Sequence, residues 1–87
     1  MTAVRIPSPL FSYTGGRAEV QAEGATVGQI LDSLDGACPG LRFRIVDEQD
    51  RIRPTLLIHV NGLAVRDLSA RVGPTDRIVI VAALSGG

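Results

Sequence analysis

The sequence of 87 residues contains no lysine and no tryptophan, and it has a single cysteine. All nine basic residues are arginine, so no side chain offers an amine for acylation. The lone Cys38 excludes an internal disulfide framework, and we expect a free thiol without a catalytic role. With three aromatic residues in the chain, the core must be aliphatic. The length allows one domain with a small core.

The sequence also has no excess of charge of one sign, because nine acidic residues balance the nine basic ones. Such a chain has no basic field for nucleic acid and no polybasic segment for anionic lipid. No apolar run approaches the ~20 residues of a membrane span. The N-terminus also lacks the charged leader and apolar run of a secretory signal. We therefore expect a cytoplasmic protein that binds neither nucleic acid nor membrane.

Groups for catalysis or metal binding are scarce as well. His59 is the only histidine, and its spacing from Cys38 fits no familiar metal site. The acidic segment 47–51 lacks the glycine-bearing spacing of a calcium loop, so we expect a solvated loop. No Ser/His/Asp arrangement or carboxylate pair supports catalysis. The sequence thus predicts a protein that is not an enzyme and binds no cofactor or metal of its own.

The first part of the chain favours a hairpin followed by a helix. Residues 4–13 alternate loosely and contain two prolines, so part of this strand should be irregular or edge-like. Thr14–Gly16 indicates a turn, and residues 17–22 alternate strictly. Thr26 and Gln29 have capping-box spacing. The helix that follows has one apolar stripe, made of Val27, Ile30, Leu31 and Leu34.

The end of this helix and the segment after it are less clearly encoded. Gly36 can take a left-handed cap, and Pro39 blocks continuation of the helix. In residues 41–46, apolar side chains alternate with arginines, which favours a strand. A short second helix is the alternative for this segment.

The second half favours a hairpin and a closing strand. Residues 55–60 resemble an interior strand, and Asn61-Gly62 is a strong signal for a tight hairpin turn. Residues 63–68 should form the return strand, 69–76 a loop and 77–83 the last strand. The whole order predicts an α+β fold: a mixed four- or five-stranded sheet with one main helix packed across one face.

One face of the predicted sheet is left open to solvent. If His59 and Arg77 point outward, strand alternation places further apolar side chains on the same outward face. These would form an apolar patch, a feature that often marks an interaction site. The predicted docking patch consists of Leu57, His59, Val79 and Val81. Four arginines are expected to be a dispersed set that aids solubility, and some of them could pair with acidic residues of a partner: Arg5, Arg17, Arg44 and Arg66.

Four segments of the chain together resemble a known family. They are "TVGQILDSL" at 26–34, "IHVNG" at 58–62, "VGPTDRIVI" at 72–80 and "AALSGG" at 82–87. In this order they are similar to the β-grasp, ubiquitin-like sulfur carriers, most of all the MoaD-like and CysO-like members, over the whole chain. The familiar MoaD-like pattern has an aromatic- and proline-rich segment before the tail, where this sequence has "IVIVAAL".

The resemblance implies a β-grasp domain at 1–81 and a flexible tail at 82–87. In such carriers the terminal carboxylate, here that of Gly87, is adenylated and becomes a thiocarboxylate, with Ser85 and Gly86 keeping the tail narrow. ATP is used by the partner, an adenylyltransferase of the MoeB/ThiF-like type. A sulfurtransferase or other sulfur donor and an acceptor synthase complete the implied partners. The acceptor could serve molybdopterin, cysteine or another sulfur metabolite.

Two other functions fit the same sequence features. The chain could be a ubiquitin-like modifier conjugated through Gly87, although the absence of lysine excludes lysine-linked chains of the protein itself. It could also be a non-covalent interaction module whose tail has no reactive role.

Overall fold

The computed structural model describes residues 1–82, and the stretch 83–87 lies outside this description. The strands and helices, in chain order, are β1 (Thr2–Arg5), a 3-10 helix (Ser8–Tyr13), β2 (Glu19–Ala22), α1 (Val27–Ala37), α2 (Leu41–Ile45), β3 (Leu56–Val60), β4 (Leu63–Val65) and β5 (Arg77–Ala82).

The strands form one mixed sheet in the order β2-β1-β5-β3-β4. Strand β5 lies in the centre, parallel to β1 and antiparallel to β3. The two hairpins, β1–β2 and β3–β4, occupy the two sides of the sheet and are joined only through β5. The predicted α+β architecture of a mixed sheet with one main helix is confirmed.

The core lies between one face of the sheet and the helices. The predicted stripe of α1 is at most 1% exposed, and β3 and β5 contribute Ile58, Ile78 and Ile80 from their inward positions. Burial of a side chain of this size stabilises the fold by about 1.5–3 kcal/mol. Cys38 is also buried in this core, at 2% exposure, as a free thiol. The aliphatic composition predicted from the scarcity of aromatics is confirmed.

The N-terminal hairpin is present, but its first strand is shorter than predicted. Strand β1 ends at Arg5, and the prediction of a strand as far as Tyr13 is wrong. Pro7 and Pro9 explain the difference, because proline cannot donate to a sheet and is well suited to the first turn of a helix. The predicted turn at 14–16 is confirmed, with both of its glycines at positive φ.

The start of α1 is capped as the sequence indicates, whereas its end differs. The Thr26 hydroxyl accepts a hydrogen bond from the Gln29 N–H at 3.2 Å. The Gln29 side chain in turn accepts one from the Ala25 N–H at 2.8 Å. The predicted left-handed cap at Gly36 is wrong: α1 continues to Ala37, and Gly40 has the positive φ of 92°.

Residues Leu41–Ile45 form the short helix α2, so the strand favoured for 41–46 is wrong and the alternative is correct. A strand would place Leu41, Phe43 and Ile45 on one face, but a helix separates them. Leu41 and Ile45, four positions apart, are fully buried, while Phe43 is 53% exposed. The Asp35 carboxylate also accepts the Gly40 and Arg42 N–H groups at the start of α2.

The Asn61-Gly62 turn is confirmed and is tied to the start of β5. Both residues have positive φ, at 51° and 84°, as the hairpin turn requires. The Asn61 side-chain carbonyl accepts the Arg77 N–H at 2.9 Å, and its amide donates to the Asp76 carboxylate at 2.7 Å. The return strand β4 ends at Val65, three residues earlier than predicted.

Candidate functional site

The predicted docking patch is assembled by the pairing of β3 with β5. Leu57 lies directly opposite Val81, and His59 lies directly opposite Val79. Leu57 is 47% exposed and Val81 is 38% exposed. His59 and Val79 are half-buried. The four residues therefore share the face of the sheet turned away from the core, in the arrangement predicted.

The register extends this face into a row that crosses all five strands. From β2 to β4 the paired positions are Glu19, Arg5, Val79, His59 and Ala64. The patch is thus bordered by an oppositely charged cross-strand pair on one side and by exposed Ala64 on the other. Sequence patterns missed Arg5 as a neighbour of the patch, because nothing local encodes the parallel register of β1 with β5. Ala64 was missed as well, although the Asn61-Gly62 hairpin places it opposite His59.

The predicted tail begins at the end of β5. Ala82, which the family resemblance places in the tail, is the last residue of β5 and pairs with Leu56. Ser85, Gly86 and Gly87, the predicted tail residues, lie outside the described residues. Five residues follow Ala82 in the sequence. When extended, a segment of that length reaches about 16 Å.

A shallow groove of about 640 Å³ lies beside Ala82, and the sequence did not reveal it. Its lining includes Tyr13, Phe43, Arg44 and Arg53. The Nε of Arg44 donates to the Tyr13 hydroxyl at 2.6 Å, and the Nε of Arg53 donates to the Phe43 carbonyl at 2.8 Å. The Arg53 guanidinium also lies 4.7 Å from the centre of the Phe43 ring, within cation–π range.

Carboxyl groups with displaced pKa values lie in turns rather than in the patch. The Arg51 N–H donates to the Asp47 carboxylate and holds the pKa of that group below its ordinary value. The Ser69 N–H lowers the pKa of Asp67 in the same way, and the Gly73 N–H lowers that of Asp76. The acidic segment 47–51 is therefore a loop, as predicted, and the Asp47 carboxylate is hydrogen-bonded to the backbone of that same loop.

Within residues 1–82, no group of three or more His, Cys, Asp or Glu side chains is placed to hold a metal ion. None of the helices described is both long enough and apolar enough to cross a membrane.

A central β5, two flanking hairpins and a helix across one face define the β-grasp, ubiquitin-like class of proteins. The profile of the ThiS family matches residues 4–87, and the chain belongs to that family. The family resemblance and the fold predicted from the sequence are both confirmed.

Similar proteins are found among curated carriers and solved structures. The sulfur carrier protein CysO of Mycobacterium tuberculosis and that of Mycobacterium bovis are each 30% identical to the chain, over 97% of its length and 96% of theirs. The Amycolatopsis orientalis BexX/CysO complex contains a chain with TM-score 0.93 and 34% identity, covering 100% of both chains. SAMP1 of Haloferax volcanii has TM-score 0.77 and 28% identity, covering 99% of this chain and 98% of its own.

Proposed function

We propose that this protein is a sulfur carrier whose Gly87 carboxylate is activated by another enzyme and then carries sulfur as a thiocarboxylate. The observation that carries the proposal is the near full-length match to sulfur carrier proteins, within a family profile that extends to residue 87. In this role the protein is a substrate of its partners and not itself a catalyst.

The chemistry requires activation because a carboxylate repels nucleophiles and has no good leaving group. An adenylyltransferase of the MoeB/ThiF-like type would join the Gly87 carboxylate to AMP and release pyrophosphate from ATP. Sulfide from a sulfurtransferase or other donor then displaces AMP and leaves the thiocarboxylate. If the donor is a persulfide, the acyl disulfide formed needs a second thiol to release the thiocarboxylate.

The tail composition suits this chemistry. Glycine has no Cβ, so the backbone of Gly86 and Gly87 can approach a catalytic centre closely. The small side chain of Ser85 keeps the segment narrow. The reach of about 16 Å beyond Ala82 allows the carboxylate to enter a pocket while the folded domain stays outside.

The docking patch supplies the surface that holds the domain while the tail reacts. Fixing the backbone of tail residues in a partner's pocket costs about 1–2 kcal/mol per residue, and contacts elsewhere must offset this cost. Leu57 and Val81 are exposed apolar side chains beside the point where the tail begins. Their burial against the adenylyltransferase, and later against the acceptor synthase, would provide that affinity.

The acceptor belongs to the sulfur metabolism that such carriers serve. The curated relatives are CysO carriers, which favours a cysteine synthase type of acceptor over the large subunit of molybdopterin synthase. The neutral charge and the other sequence features favour a cytoplasmic protein that binds neither nucleic acid nor membrane.

The test is the intact mass of the protein after incubation with the adenylating enzyme, ATP and sulfide. We expect a mass increase equal to the exchange of one oxygen for one sulfur. The control is the same incubation of the wild-type protein without ATP, which should show no increase. Deletion of Gly87 should abolish the increase. Normal sulfur transfer in cells by a form with a bulky residue permanently fused after Gly87 would refute the proposal.

A second candidate function is protein modification through the same carboxylate. It is favoured by the likeness to SAMP1 of Haloferax volcanii, a small archaeal modifier protein. Peptide mass spectrometry distinguishes the two functions, because a modifier leaves its C-terminal residues on target lysines.

A further inference from the structure

We propose that Arg44 and Arg53 form a cationic rim that binds carboxylate side chains of the adenylating enzyme at the mouth of the pocket that receives the tail. This inference rests on the proposed function and adds a second, charged contact to the apolar docking patch. It is drawn from the groove beside Ala82.

The two arginines are held in place by contacts inside the chain. Each directs its Nε inward, Arg44 to the Tyr13 hydroxyl and Arg53 to the Phe43 carbonyl. Each guanidinium also lies against an aromatic ring, at 5.7 Å from the Tyr13 centre and 4.7 Å from the Phe43 centre. Because Nε is already used, the two terminal nitrogens of each guanidinium remain as a fork, the geometry that binds a carboxylate with two hydrogen bonds.

Glu48 also lines this groove, but neither Arg44 nor Arg53 forms an ion pair with a carboxylate of residues 1–82. The ion pairs between side chains of residues 1–82 both involve Arg42, which contacts Asp32 at 2.9 Å and Asp50 at 3.2 Å. Arg53 is half-buried and Arg44 is exposed, so both are accessible from the groove. An arginine that is already ordered loses less conformational freedom when it binds, which favours its use in an interface.

The position of the groove indicates which partner atoms the rim can meet. Ala82 and Val81 are consecutive in β5, so their side chains point to opposite faces of the sheet. Val81 belongs to the apolar patch, whereas Ala82 lines the groove. A protein that encloses the tail where it leaves β5 therefore contacts the patch on one side and the arginine rim on the other.

Distance distinguishes a protein carboxylate from the phosphates of ATP. The reacting carboxylate of Gly87 lies five residues beyond Ala82, about 16 Å away when the tail is extended into a pocket. The nucleotide is at that far end, while the rim stays at the entrance. The occupant with matching charge at the entrance is an aspartate or glutamate of the enzyme itself.

The experiment measures ATP–pyrophosphate exchange by the adenylating enzyme of the source organism as the carrier concentration is varied. We expect the double variant Arg44→Gln/Arg53→Gln to raise the KM for the carrier at least tenfold at low salt, with kcat unchanged. The difference should shrink in 0.5 M salt, because screening weakens rim charges. Tyr13→Phe, which keeps both charges but removes the Arg44 acceptor, should give a smaller increase.

The matched control is Arg71→Gln. Arg71 is an exposed arginine in the loop before β5, whereas Ala82 is at the far end of that strand. The KM for the Arg71→Gln carrier should equal the KM for the wild-type carrier. Urea unfolding should show that all variants remain folded.

Several results would overturn the rim. One is an unchanged KM for the carrier in the folded double variant. Another is an increase in that KM that does not depend on salt. A third is a change in the KM for ATP instead of the KM for the carrier. If wild type itself supports no exchange, the proposed function fails; if wild type reacts and the double variant matches it, only the rim fails.

Discussion

The two faces of the central strand β5 have nearly the same composition and opposite surroundings. Ile78 and Ile80 point into the core and are at most 2% exposed. Val79 and Val81 point to the other face, where Val79 is half-buried and Val81 is 38% exposed. On the inward face, the apolar side chains therefore stabilise the fold. On the outward face, they stay partly exposed to solvent in the folded protein.

The comparison shows why an apolar strand is not by itself evidence of a buried strand. Strands covered on both faces read as continuous apolar runs, and β5 has such a run. Here only one layer of helix covers the sheet, so the second face needs another explanation. The docking against a partner that we propose would account for the outward valines and for their position at the end of β5 that precedes the tail.

The largest effect should come from truncating neighbouring residues on opposite faces of β5. Ile80→Ala should reduce the free energy of unfolding by about 2–5 kcal/mol, because it opens a cavity in the core. Val81→Ala should cost less than about 1 kcal/mol, since its site is partly solvated. Urea unfolding of both variants measures the difference. Equal losses would contradict the division into two faces.

A charge on the open face should affect binding more than folding. We expect Val81→Asp and Leu57→Asp to weaken adenylation of the carrier at least tenfold, equivalent to about 1.4 kcal/mol. Their unfolding midpoints should stay close to that of wild type. The measurement is the carrier KM in pyrophosphate exchange, with Leu63→Asp as the matched control. Leu63 is also exposed, at 73%, but it pairs with Val60, which belongs to the core. Because directly paired residues share a face of the sheet, Leu63 lies on the face opposite the docking patch. Unchanged kinetics for Val81→Asp would remove the docking role of the patch.

The helix that covers the closed face should depend on its cap to a smaller degree. Thr26→Ala removes the hydroxyl that accepts the Gln29 N–H, and we expect a loss of about 1 kcal/mol in unfolding free energy. Thr26→Ser keeps the acceptor and should recover most of the loss. Chemical denaturation followed by circular dichroism gives both values, and adenylation at a temperature where all variants are folded should not change.

The smallest effect concerns the end of the sheet far from the tail, where neither face is involved. The Gly73 N–H and then the Asn61 amide lower the pKa of Asp76 from its ordinary value of 3.8. Because the folded state binds the proton less tightly, this contribution to stability is complete above about pH 4 to 5 and is lost as the pH falls through the lower folded pKa.

Asp76→Asn should therefore be less stable than wild type at neutral pH, and the difference should shrink in acid. Thermal unfolding between pH 7 and pH 2.5 measures this change. A stability difference that stays constant over that range would show that the effect is steric and unrelated to the charge of Asp76.

Much of the fold was predictable because its signals are local. The Thr26 cap, the four-residue apolar stripe of α1 and the Asn61-Gly62 turn each depend on residues a few positions apart. The failures occurred where a local pattern was ambiguous. Alternating arginines in 41–46 favoured a strand, and only the packing of Leu41 and Ile45 into the core decides for a helix.

In the candidate site, too, one part was predictable from local sequence patterns and another part was not. The patch was predictable because alternation within β3 and β5 fixes its members once the two strands are paired. The groove was not, because its residues come from five separate parts of the chain: the 3-10 helix with Tyr13, Phe43 with Arg44, Glu48, the segment that begins at Arg53, and Ala82. No pattern within one segment shows that these parts meet, and the arginines resemble an ordinary solubilising set until their contacts are seen.

The central place of β5 has a consequence for the synthesis of the protein. Until Arg77–Ala82 has been added, the two hairpins have no strand between them, and the pairing of Val4 with Ile78 closes a loop of more than seventy residues. A nascent or truncated chain lacking this strand thus has neither a finished sheet nor the valines of the open face. Under the proposed function, a product that ends before β5 would lack both the docking patch and the tail, so it would not compete for the adenylating enzyme.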